Sequence, residues 1–185
     1  MARRATGLPP GLKPLLRREQ IARRLPGLAR EVHAELGNAE RCVAVVVLQG
    51  AFVFAADLLR HFPPGFPTEV AFLRCESYGP QRRSTSGRVL LLQDIEPELD
   101  LRGCTVLLLD DILDTGVTMR FLMAHLQRRG AARVCPCVLL RRRTAANRRC
   151  GFAGFDIGKE FVVGYGLDLD GRYRHLPDLA ALVRR

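Results

Sequence analysis

Cys42–Leu48 and Thr105–Leu109 are strand-length runs almost without a polar residue. Runs of this kind describe strands buried on both faces, as in parallel sheets; a strand with one wet face would alternate apolar and polar. Parallel neighbours cannot be joined by a hairpin and need a crossover, usually a helix. The chain supplies such helices. Ile21, Leu25, Leu28, Ala29, Val32 and Leu36 recur at helical spacing within Glu19–Leu36, and Gly37-Asn38 stops the pattern. Ala51–His61 reads as a second helix, followed by Pro63-Pro64-Gly65. Thr115–Arg129 reads as a third, closed by Gly130. Further strands are predicted over Glu69–Tyr78, Val89–Gln93, Arg133–Leu140 and Phe161–Tyr165, with a polar loop over Gly79–Gly87. Strands alternating with helices imply an α/β fold with a mainly parallel central sheet flanked by helices. The length of 185 residues suits one domain, and neither a repeat nor a linker divides it.

The informative stretch follows the second run: Asp110-Asp111-Ile112-Leu113-Asp114-Thr115-Gly116-Val117-Thr118-Met119. Open parallel sheets bind ligands beyond the carboxyl ends of their strands. The buried strand is expected to end in Asp110 and Asp111. Gly116 permits an unusual φ or a close approach of backbone to ligand. The helix beyond it offers unpaired N–H groups to an anion, and Thr115 and Thr118 add hydroxyls. Carboxylates repel phosphate but accept hydrogen bonds from sugar hydroxyls. A ligand carrying both groups, a ribose 5-phosphate, fits. Asp114 lies between the two halves and has the chemistry of a general base; a helix-capping carboxylate is the plainer alternative. No GxxxxGK[ST] or GxGxxG is present, so the other common phosphate-binding loops are excluded.

Composition adds little to this. The formal charge is +10, and of 29 basic residues only Lys13 and Lys159 are lysines. Such a charge suits a phosphate-rich partner, either nucleic acid or a small polyphosphate. Aromatic residues make up only 6%, too few for an evident base-stacking surface. The cysteines form no CxxC pair, and Cys135-Pro136-Cys137 lacks a second ligand pair. Free thiols in a reducing, cytoplasmic setting are expected. No apolar run reaches the roughly 18 residues of a membrane span. Residues 1–18 contain no acid and read as a basic tail.

Leu108-Leu109-Asp110-Asp111-Ile112-Leu113-Asp114-Thr115-Gly116-Val117-Thr118 closely resembles the phosphoribosyl-pyrophosphate motif of the type I phosphoribosyltransferases. Three further segments resemble the hypoxanthine phosphoribosyltransferase branch. Leu48 to Leu58 is similar to its pyrophosphate loop and following helix, and Ser77-Tyr78 to the start of its lid. Phe161 to Asp168 with Arg172 to Pro177 is similar to its carboxyl-terminal hood, expected here over about 145–185. The resemblance implies a type I fold and transfer of phosphoribosyl from phosphoribosyl pyrophosphate to a 6-oxopurine, with Mg²⁺. It assigns ribose to Asp110 and Asp111, the N7 proton to Asp114, and the 5-phosphate to Thr115, Gly116, Val117 and Thr118, with Ile112 in the same substrate-binding segment. Phe161 would stack on the purine and Val162 read its edge through backbone groups. Asp168 would help hold the metal and Arg174 the pyrophosphate. Gln49 and Gly50 would line the pyrophosphate site, where the family often carries a non-proline cis peptide. Ser77 and Tyr78 would open the lid.

The pattern departs from the family in three places. Arg142 stands where Lys usually donates to the purine 6-oxo group, and it is longer and planar. Asp110 replaces the commoner Glu, and Gln49 a frequent Lys. A homodimer or homotetramer is implied, with neither membrane nor nucleic acid as partner. The same fold acting on xanthine or a pyrimidine, or serving as a nucleic-acid-binding regulator, are the alternative readings.

Overall fold

The structure is a computed structural model that describes residues 8–78, 88–144, 147 and 151–183. The elements in chain order are β1 (Leu12–Leu16), α1 (Arg18–Leu36), β2 (Cys42–Leu48), α2 (Phe52–Leu59), β3 (Glu69–Tyr78) and β4 (Arg88–Gln93). Then follow β5 (Thr105–Leu113), α3 (Val117–Arg128), β6 (Arg133–Arg142), β7 (Phe152–Ile157), β8 (Val162–Val163) and β9 (Leu179–Leu182). Among the described residues six strands form the main sheet in the order β4-β3-β2-β5-β6-β7. All its pairs are parallel except β3 with β4. This is the mainly parallel sheet that the apolar runs demand.

Alternate residues of the central strands face two different layers. Ala44, Val46, Leu107 and Leu109 pack with Ile21, Leu25, Leu28 and Val32 of α1 and with Phe54 and Leu58 of α2. Val43, Val45, Val106 and Leu108 pack with Met119, Leu122 and Leu126 of α3 on the other side. Burial on both faces explains why these strands show no polar alternation. The apolar positions read for α1 from spacing are its six buried residues. Cys42, Cys104, Cys135 and Cys137 are buried free thiols, and burial pushes the Cys42 thiol up to about 11.

Three expectations need correction. Residues 1–18 do not form only a tail: Leu12–Leu16 pairs antiparallel with β9, which also pairs with β8. The hood is therefore a three-stranded sheet, β1-β9-β8, with a strand from each end of the chain. Leu15 and Leu16 pack against the main core, an apolar pair easily overlooked among the arginines. Conversely, β7 lies in the span assigned to the hood but extends the main sheet beside β6. Arg24 of α1 closes that edge, donating to the carbonyls of Gly154 (2.9 Å) and Ala153 (3.0 Å). Phe161–Tyr165 contains only the two-residue strand β8, because Gly164 and Tyr165 turn to positive φ. The loop Gly79–Gly87 lies outside the described residues.

Candidate active site

Strand β5 is longer than its apolar run. It continues through Asp110 and Asp111 to Leu113, held by β6 through Asp110 opposite Val138 and Ile112 opposite Leu140. The carboxylates thus sit within the strand's end, not beyond it. On its other side β2 leaves the ladder earlier and turns at a cis peptide between Leu48 and Gln49. The overhang leaves Asp111 facing the Gln49-Gly50 turn. The approach is so close that a Cβ on Gly50 would overlap the Asp111 carboxylate.

A cavity of about 310 Å³ opens at this place. Gln49 and Gly50 form one wall and Asp168 and Arg174 another. The floor is the run from Asp110 through Ile112 and Asp114 to Thr115, Gly116, Val117 and Thr118. Residues far apart in sequence therefore converge where the spacing analysis placed a sugar phosphate. Gly116 is the N-cap of α3, with φ +76. That left-handed backbone favours glycine and lets the chain turn from strand to helix within three residues. Thr115 lies outside the helix; Val117 and Thr118 begin it, and the Val117 N–H donates to Thr115 Oγ1 (3.5 Å).

Electrostatics divide the cavity. Asp110 is buried, and the Asp111 N–H donates to its Oδ1 (2.9 Å). Loss of solvent, then the neighbouring Asp111 charge, push the Asp110 carboxyl well above the usual range. Burial likewise raises Asp111, against the pull of the Ile112 N–H and the Arg174 guanidinium. Across the cavity Asp168 pairs with Arg174 (2.7 Å) and accepts from the Gly171 N–H (2.6 Å). Arg174 also donates to the Gly166 carbonyl (2.7 Å). The hood meets the β2 turn at Gly166, where φ is +100 and a Cβ would overlap the Gly50 carbonyl. Tyr165 Oη donates to Asp57 Oδ2 (2.5 Å), fastening the hood to α2.

Asp114 projects at the cavity's far end, its side chain about half exposed. It pairs with Arg142 at 2.7 Å. Phe161 is 44% exposed, and its neighbour Val162 is buried in the hood sheet. Arg142, Phe161 and Val162 do not line the central cavity. Arg142 reaches its edge through Asp114, and its guanidinium also binds the Glu160 carbonyl next to Phe161. Ser77 and Tyr78 end β3 opposite Val89 and Arg88.

Two residues escaped the sequence reading. Asn147 is buried and donates through Nδ2 to the carbonyls of Leu113, Asp114 and Arg142, joining the ends of β5 and β6. One asparagine among arginines carries no periodic signal. Cys75 lines the cavity, and burial beside Asp110 and Asp111 pushes its thiol up to about 12. Its place on an alternating strand was the available clue.

The fold is that of the type I phosphoribosyltransferases, and comparison supplies the family. Residues 12–170 match the phosphoribosyl transferase domain, and the chain belongs to that family. It is 38% identical to a hypoxanthine-guanine phosphoribosyltransferase of Mycobacterium avium, over 92% of this chain and 85% of that protein. It is also 38% identical to the hypoxanthine-guanine phosphoribosyltransferase of Aquifex aeolicus, over 91% and 93%. A crystal structure of a hypoxanthine-guanine phosphoribosyltransferase from Bacillus anthracis superimposes with a TM-score of 0.81 at 35% identity, covering 92% of this chain and 98% of that one.

Proposed function

We propose that the protein is a purine-salvage phosphoribosyltransferase that transfers 5-phosphoribosyl from phosphoribosyl pyrophosphate to hypoxanthine, and also to guanine. The products are the purine 5′-monophosphate and pyrophosphate. The observation that carries this reading is the cavity itself, with paired carboxylates at one part of its floor and a helix N-terminus at the other. Relatives named for this activity match across nearly the whole chain.

In this reading Thr115, Gly116, Val117 and Thr118 hold the 5-phosphate with backbone N–H groups and hydroxyls. Asp110 and Asp111 accept hydrogen bonds from the ribose hydroxyls. Gln49 and Gly50 face the pyrophosphate, and Arg174 neutralises it. The purine stacks on Phe161, and backbone groups of Val162 read its edge. As N9 attacks the anomeric carbon, the bond to pyrophosphate breaks and Asp114 accepts the N7 proton. Ser77 and Tyr78 begin a lid that keeps water from the donor.

Asp168 is the residue proposed to hold Mg²⁺. A hard cation of this kind takes one or two protein carboxylates and completes its shell with substrate phosphates and water. The oxygen donors beside the cavity suit that chemistry. When bound, the ion would neutralise charge on the leaving pyrophosphate.

No helix among the described residues is long and apolar enough to cross a membrane. A cytoplasmic setting is proposed from the free thiols. A homodimer or homotetramer is proposed as the working state, to be checked by light scattering. The function is tested by incubating the protein with donor, Mg²⁺ and, in turn, hypoxanthine, guanine, xanthine, adenine, uracil and orotate. Formation of IMP and GMP is expected. Turnover only of xanthine or a pyrimidine, or salt-sensitive binding of RNA without turnover, would sink the reading.

A further inference from the structure

Arg142 stands where the resemblance expects a donor to the purine 6-oxo group, but its guanidinium is already engaged. Its Nη1 donates to the Gly158 carbonyl at 2.6 Å and its Nη2 to the Glu160 carbonyl at 3.0 Å. Its Nε meets Asp114 Oδ1 at 2.7 Å. The side chain is 15% exposed against 47% for Asp114. Two carbonyls of one turn therefore fix the plane of the guanidinium, and its remaining edge fixes the carboxylate. A lysine could not do this, because a single ammonium lacks the rigid fork. Asn147 holds the same loop from the other side through the Asp114 carbonyl. Asp114 is thus gripped at both side chain and backbone, although it lies just beyond the end of β5.

We propose that Arg142 is a positioning residue that acts on the reaction through Asp114, setting the carboxylate's orientation toward the purine, and is not the principal donor to the 6-oxo group. This rests on the role given to Asp114 above. The turn that Arg142 grips leads directly into Phe161, so one side chain ties the proton acceptor to the segment that stacks on the base. The 6-oxo group is then left to backbone groups of the hood. Loss of Arg142 should consequently lower kcat more than it weakens purine binding.

The test is a double-mutant cycle with Arg142→Ala and Asp114→Asn, read as kcat and purine KM for hypoxanthine. Each single variant should lose at least about tenfold in kcat. The double variant should fall within about twofold of Asp114→Asn, because residues acting through one another are not additive. Purine KM in Arg142→Ala should change by less than about threefold, a split that a merely structural role would not produce. Multiplying losses in kcat, or a purine KM raised tenfold with kcat kept, would overturn the proposal in favour of direct donation. Should Arg142→Ala fail to fold, the cycle is run with Arg142→Lys. That variant keeps the charge but not the two-carbonyl clamp, and should recover only part of kcat. Full recovery would also overturn the proposal. An undiminished kcat in Asp114→Asn alone would instead remove the base assignment, so the two failures are distinguishable.

Discussion

Replacing Asp111 by Asn should stabilise the unliganded protein, and the gain should grow with pH. Burial raises the Asp111 carboxyl from an ordinary 3.8 to about 6. A raised carboxyl means that the folded state binds a proton more readily than the unfolded chain. Stability is therefore intact below about pH 4 and is lost as pH rises toward 6, where the buried group must ionise; above that the penalty is constant. A rise of roughly two pH units corresponds to about 3 kcal/mol at most. Asparagine removes that penalty, and its amide oxygen can still accept from the Ile112 N–H. Relief of Asp110, which the Asp111 charge also raises, acts in the same direction. For a chain of this size 1 kcal/mol moves Tm by about 2–4 °C, so a gain of roughly 4–10 °C is expected at pH 7.5. At pH 4 the two proteins should melt together. Differential scanning calorimetry across pH 4–8 measures this. A pH-independent difference, or a destabilised variant at pH 7.5, would refute the reasoning. The same variant should bind the donor more weakly if, as proposed, the Asp111 carboxylate accepts hydrogen bonds from ribose.

Gly50→Ala should push the Asp111 carboxylate aside, raising donor Kd at least about tenfold in titration calorimetry while the far-UV spectrum is kept. Gly166→Ala combines a strained φ with overlap of the Gly50 carbonyl; it should cost about 1–3 kcal/mol in urea unfolding. Asn147→Ala removes the side-chain donor shared by the carbonyls of Leu113, Asp114 and Arg142 and should cost about 1–3 kcal/mol by the same assay. Deleting residues 1–16 should strip β1 from β9, lowering Tm and increasing aggregation through the exposed strand edge.

Much of this fold is legible in the chain because burial writes a local pattern. The six apolar positions of α1 and the unbroken runs of β2 and β5 could be read directly, since each must satisfy one geometric period. The strands β1 and β9 were not legible. They are short, and their pairing joins residues near opposite ends of the chain, which no local window reports. The turn from Asp110 to Thr118 was visible because acids, Gly116 and two threonines crowd within nine residues. What lay beyond the sequence was how the parts engage one another. The overhang of β5 past β2, the pairing of Asp168 with Arg174 and the grip of Arg142 on Asp114 all depend on side chains meeting across elements. Arg142 is the instructive case. Its position followed from alignment of motifs, but its hydrogen-bond partners come from the Gly158–Glu160 turn, which the reading treated as part of the hood.

The most direct test of the whole account is the kinetics of Asp114→Asn with hypoxanthine, measured alongside binding of the donor. The account divides the loop from Asp110 to Thr118 between holding the ribose phosphate and accepting the purine proton. It predicts a kcat lowered at least about a hundredfold with donor Kd unchanged within about threefold. A variant that keeps its kcat, or loses donor binding in proportion to activity, would contradict that division.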